Sequence, residues 1–530
     1  MSGADRDGTD VLFVTVDSLS RHFLDAYAAG DGDTELGVEF DVATPNIDRF
    51  AERAVAFDAH YAGSLPCMPA RREWLTGTQE FLWRPWGPTE PFDVPLPRAA
   101  RDAGVCSAMV TDHYHYFQHG SAGYYEDFVG YEFVRGHEYD ARRTSPAEPD
   151  ERLVGQSVTP ESLPERRETD FMSRPQYARN ADGFDELDET DFFAPRVFSA
   201  TADWLRTAGT EWDRWLLFVD SFDVHEPFHC PEPYASMYTD EDPTDPDLVN
   251  WPYYGRIDEG QSALTNRQLE FVRAQFAGKV TMVDRHLGRV FDALERAGLY
   301  EETTVVLTAD HGHYLGEHGW IGKPGAPLYD VLARTPLLVA HPDAEPGRID
   351  GLTAAVDLYA TVLEALGLDP DVPGVGDADY RHSRSLLPVV TGERDAGAHR
   401  DWALYGYWGS TVNVTDGRWT YMHPAGEADA AACFSTTQMN PNRWFTPPVE
   451  KTDAEPDTLP YAEAPVWRFP GTVSRRNEEP LLFDTDRDPG QERPVEDAAE
   501  HERMRGLLDE ALERLRAPAD LRGRLDLDAN

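Results

Sequence analysis

Five apolar runs constrain this 530-residue chain more than any other feature. They are VLFVTVD (11–17), CSAMVTD (106–112), WLLFVDSF (215–222), TTVVLTAD (303–310) and TPLLVAH (335–341). A strand that is apolar at nearly every position is covered on both faces, as strands of a parallel sheet are. Several of the runs end in an aspartate or a histidine. Helical patterns lie between them: TPNIDRFAERAV (44–55), PRVFSATADWLRTA (195–208), residues 269–298 and AAVDLYATVLEALG (354–367). This alternation predicts an α/β sandwich whose large, mostly parallel or mixed sheet is flanked by helices. Its ligands should gather at the carboxyl ends of the strands.

The rhythm breaks twice. Residues 140–192 are polar and proline-containing, which suits either an insertion covering the active site or a loose surface excursion. Length and polarity favour the excursion; the nearby DHYHYF (112–117) keeps the cover reading open. Past residue 395, WALYGYWGSTVNVTDGRWTYMH (402–423) reads as a hairpin turning at Asp416-Gly417. HERMRGLLDEALERL (501–515) carries Met504, Leu507, Leu508, Ala511, Leu512 and Leu515 at helical spacing. The expected division is a catalytic α/β domain over 1–395 and a smaller α+β domain over 396–530.

Charge narrows the function classes. Lys and Arg number 48 against 96 Asp and Glu, a formal net charge of −48. The acids are spread along the chain, so a solvated acidic surface is expected and nucleic-acid binding is disfavoured. Lysine stands only at 279, 323 and 451. Acid-rich, lysine-poor surfaces resemble those of salt-adapted proteins from halophilic microbes. The N-terminus lacks an apolar leader and no run is long enough to span a membrane, so a cytoplasmic protein is expected. Cys67, Cys106, Cys230 and Cys433 are far apart, with neither metal-ligand spacing nor a disulfide framework.

Four places carry candidate chemistry. In SLPCMPARREWLTG (64–77), Pro69 suits a first helical turn and Gly77 can end the helix. Cys67 would then sit at the helix N-terminus, where anions are favoured, with Arg71 one turn on; a small buried hydrophobe is the equal alternative. Asp17 and Asp310 each end a strand. Either alone reads as a cap or turn residue, but together with His311 they suit a divalent cation. His225, in DVHEPFHCPEPY, could orient or protonate a leaving group, although by itself it reads better as a packed loop residue. Lys323, in GEHGWIGKPG, is harder to dismiss in a chain nearly purged of lysine; an ammonium is a compact charge suited to a tetrahedral oxyanion.

CMPARREWLTG (67–77) resembles the sulfatase signature, Cys or Ser, any residue, Pro, any residue, Arg, closing on Thr-Gly. The residues before it, from TPNIDRF onward, look like that family's lead-in. ETTVVLTADHGHYLGEHGWIGKPG resembles its second metal segment, and VDLYATVLEALG and LLFDTDRDPGQE its later landmarks. The resemblance runs from residue 10 to about 515 and implies the alkaline-phosphatase-like fold. It implies that Cys67 is oxidised to formylglycine by a formylglycine-generating enzyme, a transient partner. It also implies that Asp17, Asp310, His311 and modified Cys67 hold one divalent metal, Ca2+ or Mn2+ ahead of Mg2+. Arg71 would steady the aldehyde hydrate, and Lys323 and His225 would address the sulfate and the leaving oxygen.

Two departures stand out. Ser18 occupies a position that is often a second aspartate, and TDHYHYF lacks the lysine of the usual Gly-Lys-Trp-His segment; His113 or His115 would have to replace it. Both departures resemble the branch that includes phosphonate monoester and phosphodiester hydrolases. The resemblance thus implies an arylsulfatase-like hydrolase of a small-molecule or carbohydrate sulfate ester. The alternatives are a phosphonate monoester or phosphodiester hydrolase and a non-catalytic binding relative, and the intact constellation argues against the last.

A charge of −48 repels itself at low ionic strength and is screened in concentrated salt. The melting temperature should therefore rise steeply from dilute buffer to molar KCl; a flat profile would contradict a salt-adapted surface.

Overall fold

The computed structural model describes residues 8–28, 41–118, 123–144, 151–156, 174–181, 188–323, 325–370, 382–426, 431–436, 455–459, 464–471 and 477–527. Lys451 and most of 140–192 lie outside them.

Eight strands form the central sheet: β1 (Asp10–Val16), β2 (Val55–Phe57), β3 (Cys106–Thr111), β4 (Gly130–Phe133), β5 (Trp215–Ser221), β6 (Thr303–Thr308), β7 (Leu337–Ala340) and β8 (Gly347–Ile349). Their order is β8-β2-β7-β6-β1-β5-β3-β4. All pairings are parallel except those of β7, which runs against both β6 and β2. The run 335–341 is thus an antiparallel strand inside an otherwise parallel sheet; being covered on both faces, it reads from sequence like its neighbours.

Alternate residues of each central strand feed two cores. Leu12, Val14 and Val16 of β1 join Leu217, Val219, Val305 and Leu307 under helices α3 (Phe193–Arg206) and α4 (Asn266–Arg296). Val11 and Phe13 join Leu216, Phe218 and Val306 under α2 (Cys67–Thr76) and α5 (Asp357–Ala365). This two-sided burial explains why the strands show no polar alternation. Helix α4 opens with a capping box in which Thr265 and Gln268 satisfy each other's backbone N–H groups. Helix α1 (Pro45–Ala51) is shorter than the 44–55 pattern: Val55 already belongs to β2, because the apolar VAF segment pairs with β7 and β8 instead of extending the helix.

Helix α2 is seated tightly. Trp74 lies 5.7 Å from Phe13 of β1, which stacks at 5.0 Å on Phe218 of β5. Gly77 ends the helix at φ +71°, and a Cβ there would lie 2.7 Å from the Tyr359 ring, so only glycine fits.

A second sheet contains β9 (Ala403–Tyr407), β10 (Val412–Thr415), β11 (Trp419–His423) and β12 (Leu481–Asp484). The β10–β11 turn falls at Asp416–Arg418. Helix α6 (Ala498–Arg514) buries Met504, Leu508, Ala511 and Leu512 in this core, while Leu507 is only partly buried. The sheet also takes Ser64–Leu65 as an edge strand parallel to β9. The segment that leads into α2 is therefore gripped by chain more than 300 residues away. Among the described residues of 140–192, helices cover Glu151–Gln156 and Arg174–Ala181, and Asn180 donates to the carbonyls of Gly136 and Asp140. No helix among the described residues is long and apolar enough to cross a membrane.

Candidate active site

Strand register brings the acids together. Thr15 of β1 lies opposite Asp220 of β5 and Thr308 of β6, and Asp220 lies opposite Thr111 of β3. Asp17, Asp310 and the Asp112-His113 pair follow within two residues of those positions, at the same sheet edge. Helix α2 begins there at Cys67. A short hairpin pairs Tyr314 with Gly322, so the chain doubles back and returns Lys323 to the level of His313. The spacing between Asp310 and Lys323 is thus one hairpin.

Arg71 is the hub. It is fully buried and spans three buried carboxylates: Nε and Nη2 contact Asp220 at 2.8 Å each, Nη2 lies 2.9 Å from Asp17, and Nη1 donates to Asp310 at 2.5 Å. Nη1 also donates to the Cys67 carbonyl at 3.1 Å. The planar fork suits this arrangement; a lysine could not contact all three acids. Burial opposes charge on Asp220, but Arg71 outweighs it and draws the pKa down to about 2.

The residues suit a divalent cation. Ligand atoms of Asp17, Cys67, Asp310 and His311 all lie within 4.8 Å of one another, and all four residues are buried. His311 Nδ1 bonds the Gly312 carbonyl at 2.8 Å, which leaves Nε2 facing Asp310 at 3.2 Å and Cys67 Sγ at 3.4 Å. Burial lowers this imidazole to about 4, so it is neutral, as a ligand must be. Burial and the neighbouring Asp310 push Asp17 well above the usual carboxylate range, whereas the charges around Asp310 hold that group below it. A cation bound beside Asp17 would favour its ionised form, and the three aspartates would then face one guanidinium and one ammonium, leaving one negative charge for that cation to offset. The oxygen-rich donor set with one imidazole fits Ca2+, Mn2+ or Mg2+.

Cys67 is 4% exposed, and burial first, then Asp17, push its thiol well above the ordinary range. Lys323 Nζ lies 3.7 Å from its sulfur, 3.3 Å from Ser18 Oγ and 4.0 Å from Asp17. Burial opposes its charge, but the Cys67 sulfur and the carboxylates of Glu226, Asp17 and Asp310 outweigh it and keep the ammonium charged.

The histidines divide. His113 is buried with Nδ1 3.4 Å from Asp220, the partner of Arg71, whereas His115 turns away to Gln118 at 2.7 Å and Glu138 at 3.4 Å. His113 is therefore the one brought to the ion cluster. His225 is buried, stacks on Phe222 at 4.2 Å and bonds the Glu226 carbonyl through Nδ1 at 2.9 Å, leaving Nε2 for other work. Burial and then the Lys323 charge lower its pKa.

Sequence reasoning missed Asp220, although a lone aspartate in WLLFVDSF was a visible signal. It also missed Tyr116, whose hydroxyl donates to Asp220 at 2.8 Å. Ser18, noted only as a departure, donates its N–H to Asp310 and its hydroxyl to Asp17. His313 and Glu226, 3.9 Å apart, carry no local sequence signal.

Comparison with known proteins adds a family. The family model described as Sulfatase matches residues 9–368. The chain is 26% identical over 390 residues to "Uncharacterized sulfatase YidJ" of Escherichia coli K12, covering 71% of this chain and 72% of that protein. It is 23% identical to the choline-sulfatase of Rhizobium meliloti, covering 78% of each. In fold it resembles the phosphonate monoester hydrolase of Agrobacterium radiobacter, with a TM-score of 0.62 at 20% identity over 96% of this chain and 95% of the other.

Removing the hub should be severe. Arg71→Gln leaves buried carboxylates without their partner and should lower stability at pH 7 by about 3–5 kcal/mol. Asp220 takes up its proton near pH 2 when folded, against about 3.9 for an unfolded aspartate. Its contribution is therefore present above about pH 4 and lost as pH falls toward 2. Denaturant midpoints of variant and wild type should converge as pH is lowered from 7 to 3; a constant gap would contradict this account.

Proposed function

The chain belongs to the sulfatase family, and from that premise we propose that it hydrolyses sulfuric esters, with residue 67 acting as a formylglycine beside one divalent cation. The observation that carries this reading is the convergence of Asp17, Cys67, Asp310 and His311 ligand atoms within 4.8 Å, with Lys323 at 3.7 Å from the same sulfur. Cys67, Arg71, Lys323, His225 and either His113 or His115 were the catalytic candidates read from sequence; the Asp220 contact favours His113 over His115.

As a plain thiol, residue 67 is a poor nucleophile, because burial keeps it protonated. A formylglycine hydrate and a cation held by Asp17, Asp310, His311 and residue 67 would supply the oxygen nucleophile and the Lewis acid. Arg71 holds Asp17 and Asp310 at fixed positions and does not titrate. Lys323 stays charged and so offers the ester oxygens an electrostatic partner, not a proton. His225 keeps Nδ1 on a carbonyl, and Nε2 is the nitrogen that can exchange a proton with the leaving oxygen. A bound ester anion supplies the counter-charge that raises the proton affinity of this imidazole.

A second reading is hydrolysis of phosphonate monoesters or phosphodiesters. It is favoured by Ser18, by the absence of lysine in TDHYHYF and by the fold likeness to a phosphonate monoester hydrolase. Rates on an aryl sulfate, a phosphodiester and a phosphonate monoester, run in parallel in molar KCl with Ca2+ or Mn2+, separate the two. The sulfate ester should be turned over fastest; if it is the poorest by far, the sulfatase reading falls.

Lys323 gives the sharper test of the anion site. Lys323→Ala should lower kcat on the order of 100-fold or more in protein that stays folded in molar KCl, with a lowered melting temperature because a buried ammonium is lost from among carboxylates. Lys323→Arg should not restore the rate, since a flat guanidinium cannot replace a compact ammonium between Ser18 and residue 67. Turnover near wild type in Lys323→Ala would remove Lys323 from the mechanism.

A further inference from the structure

Lys279 is the other lysine among the described residues, and the reading above gives it no role. It projects from the middle of α4 and is 2% exposed. Its ammonium meets three acceptors, all from one short loop. It pairs with the Asp223 carboxylate and donates to the carbonyls of His225 at 3.0 Å and Pro227 at 2.8 Å. An ammonium has three N–H bonds diverging from one atom, and three acceptors are present. A guanidinium is planar and bulkier and cannot converge on the same point. That match gives a reason for this position to stay lysine in an arginine-rich chain.

The loop is pinned from other sides too. Asp223 accepts from His137 Nε2 at 3.0 Å and from the Ala194 N–H, in the first turn of α3, at 3.2 Å. Asp112, His137 and Asp223 also place three ligand atoms within 4.8 Å of one another. The Lys279 ammonium already lies on Asp223, so the positive charge in this cluster comes from the chain itself. The loop Phe222–Phe228 thereby hangs between α3 and α4, and the residue whose carbonyl Lys279 holds is His225, stacked on Phe222.

We propose that Lys279 is a positioning residue: it folds the Phe222–Phe228 loop around its ammonium and so fixes the His225 imidazole for proton exchange with the leaving oxygen. The proposal rests on the role given to His225 above. It assigns Lys279 no contact with the ester.

A double-mutant cycle tests it. Lys279→Met strands the Asp223 carboxylate, so it is combined with Asp223→Asn; Lys279→Arg, which keeps the charge, is the second arm. Each is made in the wild-type and His225→Ala backgrounds and assayed on whichever of the three esters the wild-type enzyme hydrolyses fastest. In the wild-type background each arm should lower kcat/KM by about 10- to 100-fold. In His225→Ala the same changes should lower it by no more than about 3-fold, because the group they act through is gone. Equal losses in both backgrounds would overturn the proposal, as would no loss in either or failure of both arms to fold in molar KCl. If His225→Ala itself leaves turnover unchanged, the role given to His225 is wrong and the proposal falls with it. A second measurement does not depend on turnover: the ring 13Cε1 resonance of His225, assigned by its loss in His225→Ala, should move in both Lys279 arms, and an unmoved resonance overturns the proposal.

Discussion

The site depends on one interaction, a guanidinium held among three buried carboxylates. Asp17, Asp220 and Asp310 come from three neighbouring parallel strands, and without a shared cation they would repel one another in a region sealed from water. Desolvation of such groups is opposed only when geometry and hydrogen bonding are both good. Arg71 supplies that geometry with all three of its nitrogens and fixes the first turn of α2 through the Cys67 carbonyl. Residue 67 is thus oriented by the same group that holds the acids.

The charged groups inside the molecule follow a pattern. Where a carboxylate needs a flat, multi-pronged partner, arginine is used: Arg71 at the site, Arg400 on Asp357, and Arg72 and Arg84 among Glu80, Glu90 and Asp93. Where acceptors or anions must converge on a single point, lysine is kept, at 279 and 323. Many acids of this chain are therefore internal structural groups and not part of a solvated face, which the even spread of Asp and Glu along the sequence could not reveal.

Much of the architecture was legible because both sheet faces are buried. Short, β-branched apolar runs with no alternation suit interior strands, and their closing aspartates mark the working edge. The antiparallel sense of β7 was not legible, since direction leaves no mark on a strand covered on both sides. The edge strand Ser64–Leu65 was invisible for a related reason: two residues have no periodicity, and their partner lies beyond residue 400. At the site, Cys67, Arg71, Asp17, Asp310, His311 and Lys323 stood out by motif and by scarcity. Asp220 was overlooked because it sits inside a strand run and not beyond its end. Glu226 and His313 meet only through the return of a loop, a long-range event with no local signature. His113 and His115 could not be separated by sequence, because which of the two faces Asp220 depends on the short helical turn over Tyr114–Phe117.

Under the proposed function, residue 67 works as an aldehyde and not as a thiol. Peptide mass spectrometry of the segment carrying residue 67, taken from protein whose specific activity has been measured, tests this directly. The sulfur should be replaced by an aldehyde oxygen, and specific activity should rise in proportion to the converted fraction. Full activity in protein whose residue 67 is entirely unmodified cysteine would contradict it.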